Sequence, residues 1–373
     1  MDNLRIYVHV PFCSQRCAYC DFVTYDDKSY LIDSYFKAAE REVALYLPDL
    51  KKGALKSIFF GGGTPTFPDA SYLAGLVRKF NPKAGAEISL EANPGTVNRE
   101  KLQLYREAGF NRISFGVQSF DNDVLTVMGR IHDKTTAIRN IREAFAAGFQ
   151  NVSIDLIFGY PLQTKEKFRN SIQTAIELGV KHLSCYSLKV SEGTPLEDMI
   201  RNRLLPEPDD ELDREMYWMA VEVLKKAGFD HYEISNFAYP GYECTHNIGY
   251  WKLDDYIGIG AGAHSYFKNE RYSNTENIAE YIKRLGQYEF PVAESTVIDE
   301  KESMKEFVIL GLRMIEGVSL VDFRERYGVE LKVVFGNQIL SSISDGLLSN
   351  NGKYIKLSPK GLDFANQVMR KFM

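Results

Sequence analysis

Six short runs rich in β-branched and aromatic residues alternate with longer helical patterns through residues 1–240 of this 373-residue chain. The strand candidates are residues 5–10, 57–62, 87–92, 112–117, 152–159 and 182–188. Between them, stretches such as 30–47, 72–80 and 135–148 space their apolar residues as amphipathic helices do. Gly109, Gly148, Gly179 and Gly228 fall where a left-handed residue would end a helix. Repeated βα units need crossover connections, so they predict a parallel sheet covered by helices. An open doubly wound sheet and a full or partial barrel both satisfy the pattern. In either, functional residues belong at the C-terminal ends of the strands. The sequence follows that rule: "GGGTP" (61–65) follows the second strand, "EANPGT" ends the third, "VQSF" ends the fourth, and Asp155 falls late in the fifth.

Residues 241–295 shift to Gly, Tyr, His and Asn, and read as an aromatic, glycine-rich connecting segment. Residues 296–373 are helix-rich and then carry "LLSNNGKYIKLS", a hairpin with Asn351-Gly352 at its turn. Helices followed by such a hairpin resemble a small winged-helix module, α+β in class. A net charge of −5 and a pI near 5.8 disfavour nucleic acid as a partner, and the C-terminal stretch has no concentrated basic face. No apolar run approaches the roughly 18 residues of a membrane span. The N-terminus lacks the pattern of a signal peptide, so a cytoplasmic protein is expected.

Three of the five cysteines, Cys13, Cys17 and Cys20, crowd into one loop after the first strand as C-x3-C-x2-C. Their number and spacing do not make a disulfide framework. Zinc sites pair such cysteines with a second pair, and neither Cys185 nor Cys244 has a companion at that spacing. Position 22, where a fourth thiolate would keep the rhythm, holds Phe22. A four-iron, four-sulfur cluster held by three thiolates leaves one iron open to a small molecule.

With Tyr19 before its third cysteine, the loop resembles the signature of the radical S-adenosylmethionine (SAM) superfamily. The resemblance implies a partial (β/α)6 barrel in which the open iron chelates the amino and carboxylate groups of SAM, and cluster reduction generates a 5′-deoxyadenosyl radical. "GGGTP" then corresponds to the glycine-rich element at the methionine end of SAM, with Gly62, Gly63 and Thr64 as contacts. Tyr7, Glu91, Gln118, Arg130 and Asp155 match SAM contacts of the subgroup containing oxygen-independent coproporphyrinogen III dehydrogenase. Carboxylates can accept from ribose hydroxyls, and Arg130 can pair with SAM's carboxylate.

Two branches of that subgroup compete. The dehydrogenase decarboxylates propionates of coproporphyrinogen III; it carries a cysteine at the place of Phe22 and a longer segment before the motif. The heme chaperone branch keeps "CDF" and an H-N-x-x-Y-W motif, matched here by "HNIGYW" (246–251). That match implies heme contacts from His246, Asn247, Tyr250 and Trp251: imidazole is a common axial ligand, and aromatic faces suit a macrocycle. His264 is a second ligand candidate, Cys244 reads as a buried thiol, and His9 as an orienting residue for the cluster loop. The expectation is a heme chaperone with a cluster, SAM and heme, handing heme to an apo-protein such as a membrane respiratory enzyme, with a homodimer on cluster loading. The dehydrogenase and a plain iron–sulfur electron carrier are the rival functions.

Overall fold

The computed structural model describes residues 3–50 and 55–373. Six strands, β1 (Leu4–Val10), β2 (Leu55–Gly62), β3 (Glu87–Ala92), β4 (Arg112–Gln118), β5 (Asn151–Phe158) and β6 (His182–Ser187), lie side by side in sequence order, all parallel. Helices connect them, and the four glycines expected to end helices all have positive φ. Side chains capping the helices at Asn98, Asp121, Asp133 and Thr164 explain where several of them begin.

A parallel sheet covered on both faces usually reads as unbroken apolar runs. Here the strands alternate instead. Ile6, Val8, Ile58, Phe60, Leu90, Ile113, Phe115, Ile154 and Leu156 are buried in the apolar core. Between them, Tyr7, Glu91, Arg112, Ser114, Asp155, Ser184 and Tyr186 line an internal cavity. The curled sheet therefore has a polar lumen, and period-2 alternation places these strand side chains on that inner face.

The sheet does not stop at six strands. β7 (Asp230–Glu233) and β8 (Asn236–Ala238) extend it antiparallel beyond β6. On the other flank, β9 (Tyr256–Ile259) pairs parallel with β1, followed by β10 (His264–Phe267), β11 (Glu270–Asn274) and β12 (Val292–Val297) in antiparallel order. Residues 241–295, read from sequence as a connecting segment, thus contribute four strands and two helices to the body of the fold. Strands of four to six residues broken by Gly258, Gly260 and Gly262 gave too little periodicity to show. Among the described residues β1 and β6 do not pair, so the barrel is open, a partial (β/α)6 barrel.

After β12 the chain builds a separate core of helices Glu300–Gly311, Leu320–Tyr327 and Leu331–Ser344 against a small antiparallel sheet. The expected hairpin is there, Leu348–Asn350 with Tyr354–Leu357, turning through Gly352 at φ 85°. Leu253 and Tyr266 join this core from the barrel side.

Candidate cofactor site

The loop after β1 is tied back on itself, Tyr25 N–H donating to Pro11 O (2.7 Å) and Cys13 N–H to Tyr25 O (3.1 Å). This closure turns all three cysteines of the motif into a pocket of about 330 Å³ at the C-terminal ends of the strands. Cys13 Sγ lies 3.2 Å from Thr64 Oγ1, and Arg130 Nη1 donates to Cys17 Sγ at 3.1 Å. Among the described residues no three His, Cys, Asp or Glu side chains converge as ligands of one ion. A mononuclear site needs such convergence, whereas a cubane spreads its thiolates over separate corners. Burial pushes the Cys13 thiol up to about 11 and raises Cys20, so these two thiols stay protonated at neutral pH when unmetallated. The donor set fits a cluster.

Gly62, Gly63, Thr64, Glu91, Gln118, Arg130 and Asp155 line this same pocket. Gly62, at φ 115°, has no room for a side chain: a Cβ would stand 2.7 Å from the His9 ring. The glycine motif therefore packs on β1 as well as baring backbone to the pocket. His9 in turn bridges Tyr7 Oη (3.0 Å) and Val23 O (2.9 Å), which anchors the tail of the cysteine loop as the sequence suggested. Arg130 donates to Gly116 O (2.6 Å) and Asn93 Oδ1 (2.7 Å), and Asn93 donates to Thr64 Oγ1 (2.8 Å).

Two buried atoms aimed at this region lack partners, Gln118 Oε1 and Arg130 Nε, and Gln118 sits at φ 66°, a strained position for a residue with a Cβ. Burial, with Asp155 opposite, pushes the Glu91 carboxyl up to about 8. Burial also raises Asp155, although Ser184, Ser114 and Arg112 favour its charged form. An unpaired Gln118 carbonyl and carboxyls lining a cavity are what hydroxyl and ammonium donors of a nucleotide would satisfy, and the unpaired Arg130 N–H is what a carboxylate would. The residues fit SAM.

Tyr7 alone of the expected SAM contacts does not line the main pocket. It faces a second cavity of about 140 Å³ behind Glu91 and Asp155.

The "HNIGYW" stretch differs from the sequence expectation. It is a helix, Thr245–Trp251, not an open aromatic loop. His246 is 1% exposed; its Nδ1 meets Ser57 Oγ (2.8 Å) and its Nε2 meets Tyr250 Oη (2.8 Å). Neither ring nitrogen is free for a heme iron, and Phe59 stacks on the imidazole at 5.1 Å. Asn247 and Tyr250 face the inner cavity, and Trp251 lies under the Arg313 guanidinium at 4.3 Å. His246 and Gly249 are buried, and Asn247, Tyr250 and Trp251 are only partly exposed. Cys244 is buried with its thiol pushed up to about 12, as a structural thiol is.

Sequence reasoning missed Asn93, which links Thr64 to Arg130, and Arg112, a buried guanidinium lining the same inner cavity as the two acids. It also missed Glu87, whose carboxylate accepts from the Thr245 (2.9 Å) and His246 (3.1 Å) amides. Asn93 lay in plain view in the "EANPGT" strand end; the other two are set by long-range packing.

A profile of the radical SAM superfamily matches residues 7–175, and one of the HemN C-terminal domain matches residues 298–364. The heme chaperone HemW of Bacillus subtilis is 37% identical over 98% of both chains. HemW of Lactococcus lactis is 34% identical, covering 98% of this chain and 96% of its own, and that of Escherichia coli 32%, covering 100% and 99%. The solved structure of coproporphyrinogen III oxidase (HemN) from Escherichia coli, described as a radical SAM enzyme, superposes with a TM-score of 0.87 over 100% of this chain and 90% of its own, at 23% identity. That likeness shows the shared fold. With its cysteine loop, its polar lumen and relatives aligned from end to end, the chain belongs to the radical SAM superfamily and, within it, to the HemW family.

Proposed function

We propose that the chain is a heme chaperone, binding heme and passing it to apo-proteins, with membrane respiratory enzymes among the recipients. The observation that supports this most is end-to-end similarity to proteins named heme chaperones. The superfamily's cofactors are a four-iron cluster and SAM. In this reading Cys13, Cys17 and Cys20 hold the cluster, and Gly62, Gly63, Thr64, Gln118 and Arg130 receive SAM beside Glu91 and Asp155. When bound, the cluster supplies an open iron for chelation and an electron for SAM. Arg130 neutralises charge next to Cys17, Thr64 orients toward Cys13, and the loop closure shields this end of the pocket from water. Phe22, 63% exposed at the pocket rim, offers an apolar face where a fourth thiol would have been.

Heme iron needs an accessible ligand. Of the six histidines, His9, His132, His182, His231 and His246 each have at least one ring nitrogen engaged in a hydrogen bond, and the second nitrogen of His132, though unpartnered, is buried. Among the described residues only His264 is exposed, and its ring makes no hydrogen bond. His264 is therefore the axial ligand in this proposal; His246 could serve only after losing Tyr250. Pairing of two cluster-loaded chains and a cytoplasmic location belong to the same proposal; no helix among the described residues is long and apolar enough to cross a membrane.

Titration of heme into purified protein, followed at the Soret band, tests the reading. Wild type should saturate, with His264→Ala weakening the spectral shift more than His246→Ala; no saturable binding would reject it. A second reading, oxidative decarboxylation of a porphyrinogen, draws support from the complete pocket. Anaerobic incubation with coproporphyrinogen III, SAM and reductant separates the two: product would favour the dehydrogenase.

A further inference from the structure

We propose that the Thr245–Trp251 helix is a floor plug whose inner residues, His246 and Tyr250, position the nucleotide-facing wall of the SAM pocket, and whose outer residue, Trp251, couples that wall to the C-terminal module. The inference rests on the SAM reading above and is independent of heme delivery. Glu91, Asp155 and Tyr186 line both the main pocket and the 140 Å³ cavity behind it. One layer of side chains therefore separates bound nucleotide from the plug. The far wall of that cavity is His246, Asn247 and Tyr250.

The plug is fixed from every side. Glu87 receives its first two amides, Ser57 holds His246, and Arg5 runs beneath Gly249 to an ion pair with Asp254 at 2.7 Å. A Cβ on Gly249 would overlap the Arg5 guanidinium, so the glycine of the motif is a packing requirement. The next residue after Tyr250 leaves the barrel. Trp251 lies under Arg313 and shares a small cleft with Phe307 and Met314 of the C-terminal module. Its indole N–H has no acceptor, so packing and the guanidinium alone hold the ring. Backbone bonds continue the link: Ile234 N–H donates to Arg313 O (3.0 Å) and Ile315 N–H to Tyr232 O (3.1 Å).

Contiguity of this kind becomes coupling only if both ends bias one another's equilibrium. The chain has two tryptophans, and Trp218 sits apart on a surface bond to Asp363 (2.8 Å). A Trp218→Phe variant, reconstituted anaerobically, makes Trp251 the sole indole reporter. SAM should shift its emission, while methionine, which carries the chelating groups without the ribose, should leave it in place. In the same background His246→Ala should weaken SAM binding about 3- to 10-fold, the range for one buried hydrogen-bonded group. Cluster content and the methionine response should not change; Tyr250→Phe should give the smaller loss and guards against a misfolded alanine variant. SAM that alters the cluster's EPR signal without moving Trp251, or that binds both variants as tightly as wild type, overturns the plug. SAM that leaves the EPR signal untouched overturns the SAM reading beneath it.

Discussion

At the mouth of the barrel, Gln118 Oε1 and Arg130 Nε lack partners, Gln118 is strained, and Phe22 is exposed on the rim. At the floor, His246, Glu87 and Arg5 are bonded on every side and Gly249 leaves no spare space. Both ends carry motifs that read in the sequence as ligand sites. The floor also keeps two unmet donors, Arg112 Nε and Trp251 Nε1, but only the mouth adds a strained residue and an exposed rim to its unmet polar atoms, the combination a ligand completes.

The comparison breaks most readily at the cluster. Cys17→Ser should abolish cluster incorporation, read as loss of iron and sulfide, while leaving the far-ultraviolet circular dichroism unchanged. Collapse of the fold would mean that the loop supports the core. Next in size is Gly249→Ala at the floor. Alanine normally stabilises a helix interior over glycine by up to ~1 kcal/mol. Here the overlap with Arg5 should instead cost ~2–4 kcal/mol, seen as a fall in the urea midpoint. A more stable variant would show the floor to be loose.

Gln118→Gly should have the opposite signature at the mouth. Relief of the positive φ should raise stability by ~1 kcal/mol while SAM binding weakens, because the unpartnered carbonyl is removed. The smallest effect concerns Glu91. Its folded pKa, about 8, lies above the ordinary carboxylate value, so the folded state binds the extra proton. Stability from this group is full below the unfolded pKa and is lost as pH rises through about 8. Unmetallated Glu91→Gln should therefore melt higher than wild type at pH 8, the gap closing near pH 5; a constant gap would place the carboxylate in a more polar setting.

Much of the mouth was legible. Short runs rich in β-branched and aromatic residues, alternating with helical patterns, located all six parallel strands, and Glu91, Gln118 and Asp155 were singled out by the family resemblance at the strand ends where function is expected. The floor was not legible, for a local reason. "CTHNIGYW" contains a glycine and two aromatics, and Cys244 at the helix start makes no side-chain cap. The cap comes from Glu87, 158 residues away from Thr245 in sequence, and no window of neighbours could supply it. Arg112 escaped notice because a strand arginine reads as an exposed edge until the barrel curls around it.

Amide hydrogen exchange of the cluster-free protein tests the central claim, a closed floor beneath an open mouth. The Thr245 and His246 amides, bonded to Glu87, should exchange only through near-global unfolding, while amides of the cysteine loop between residues 14 and 22 exchange orders of magnitude faster. Equal, fast exchange at both ends would contradict it and restore the motif to an open ligand loop.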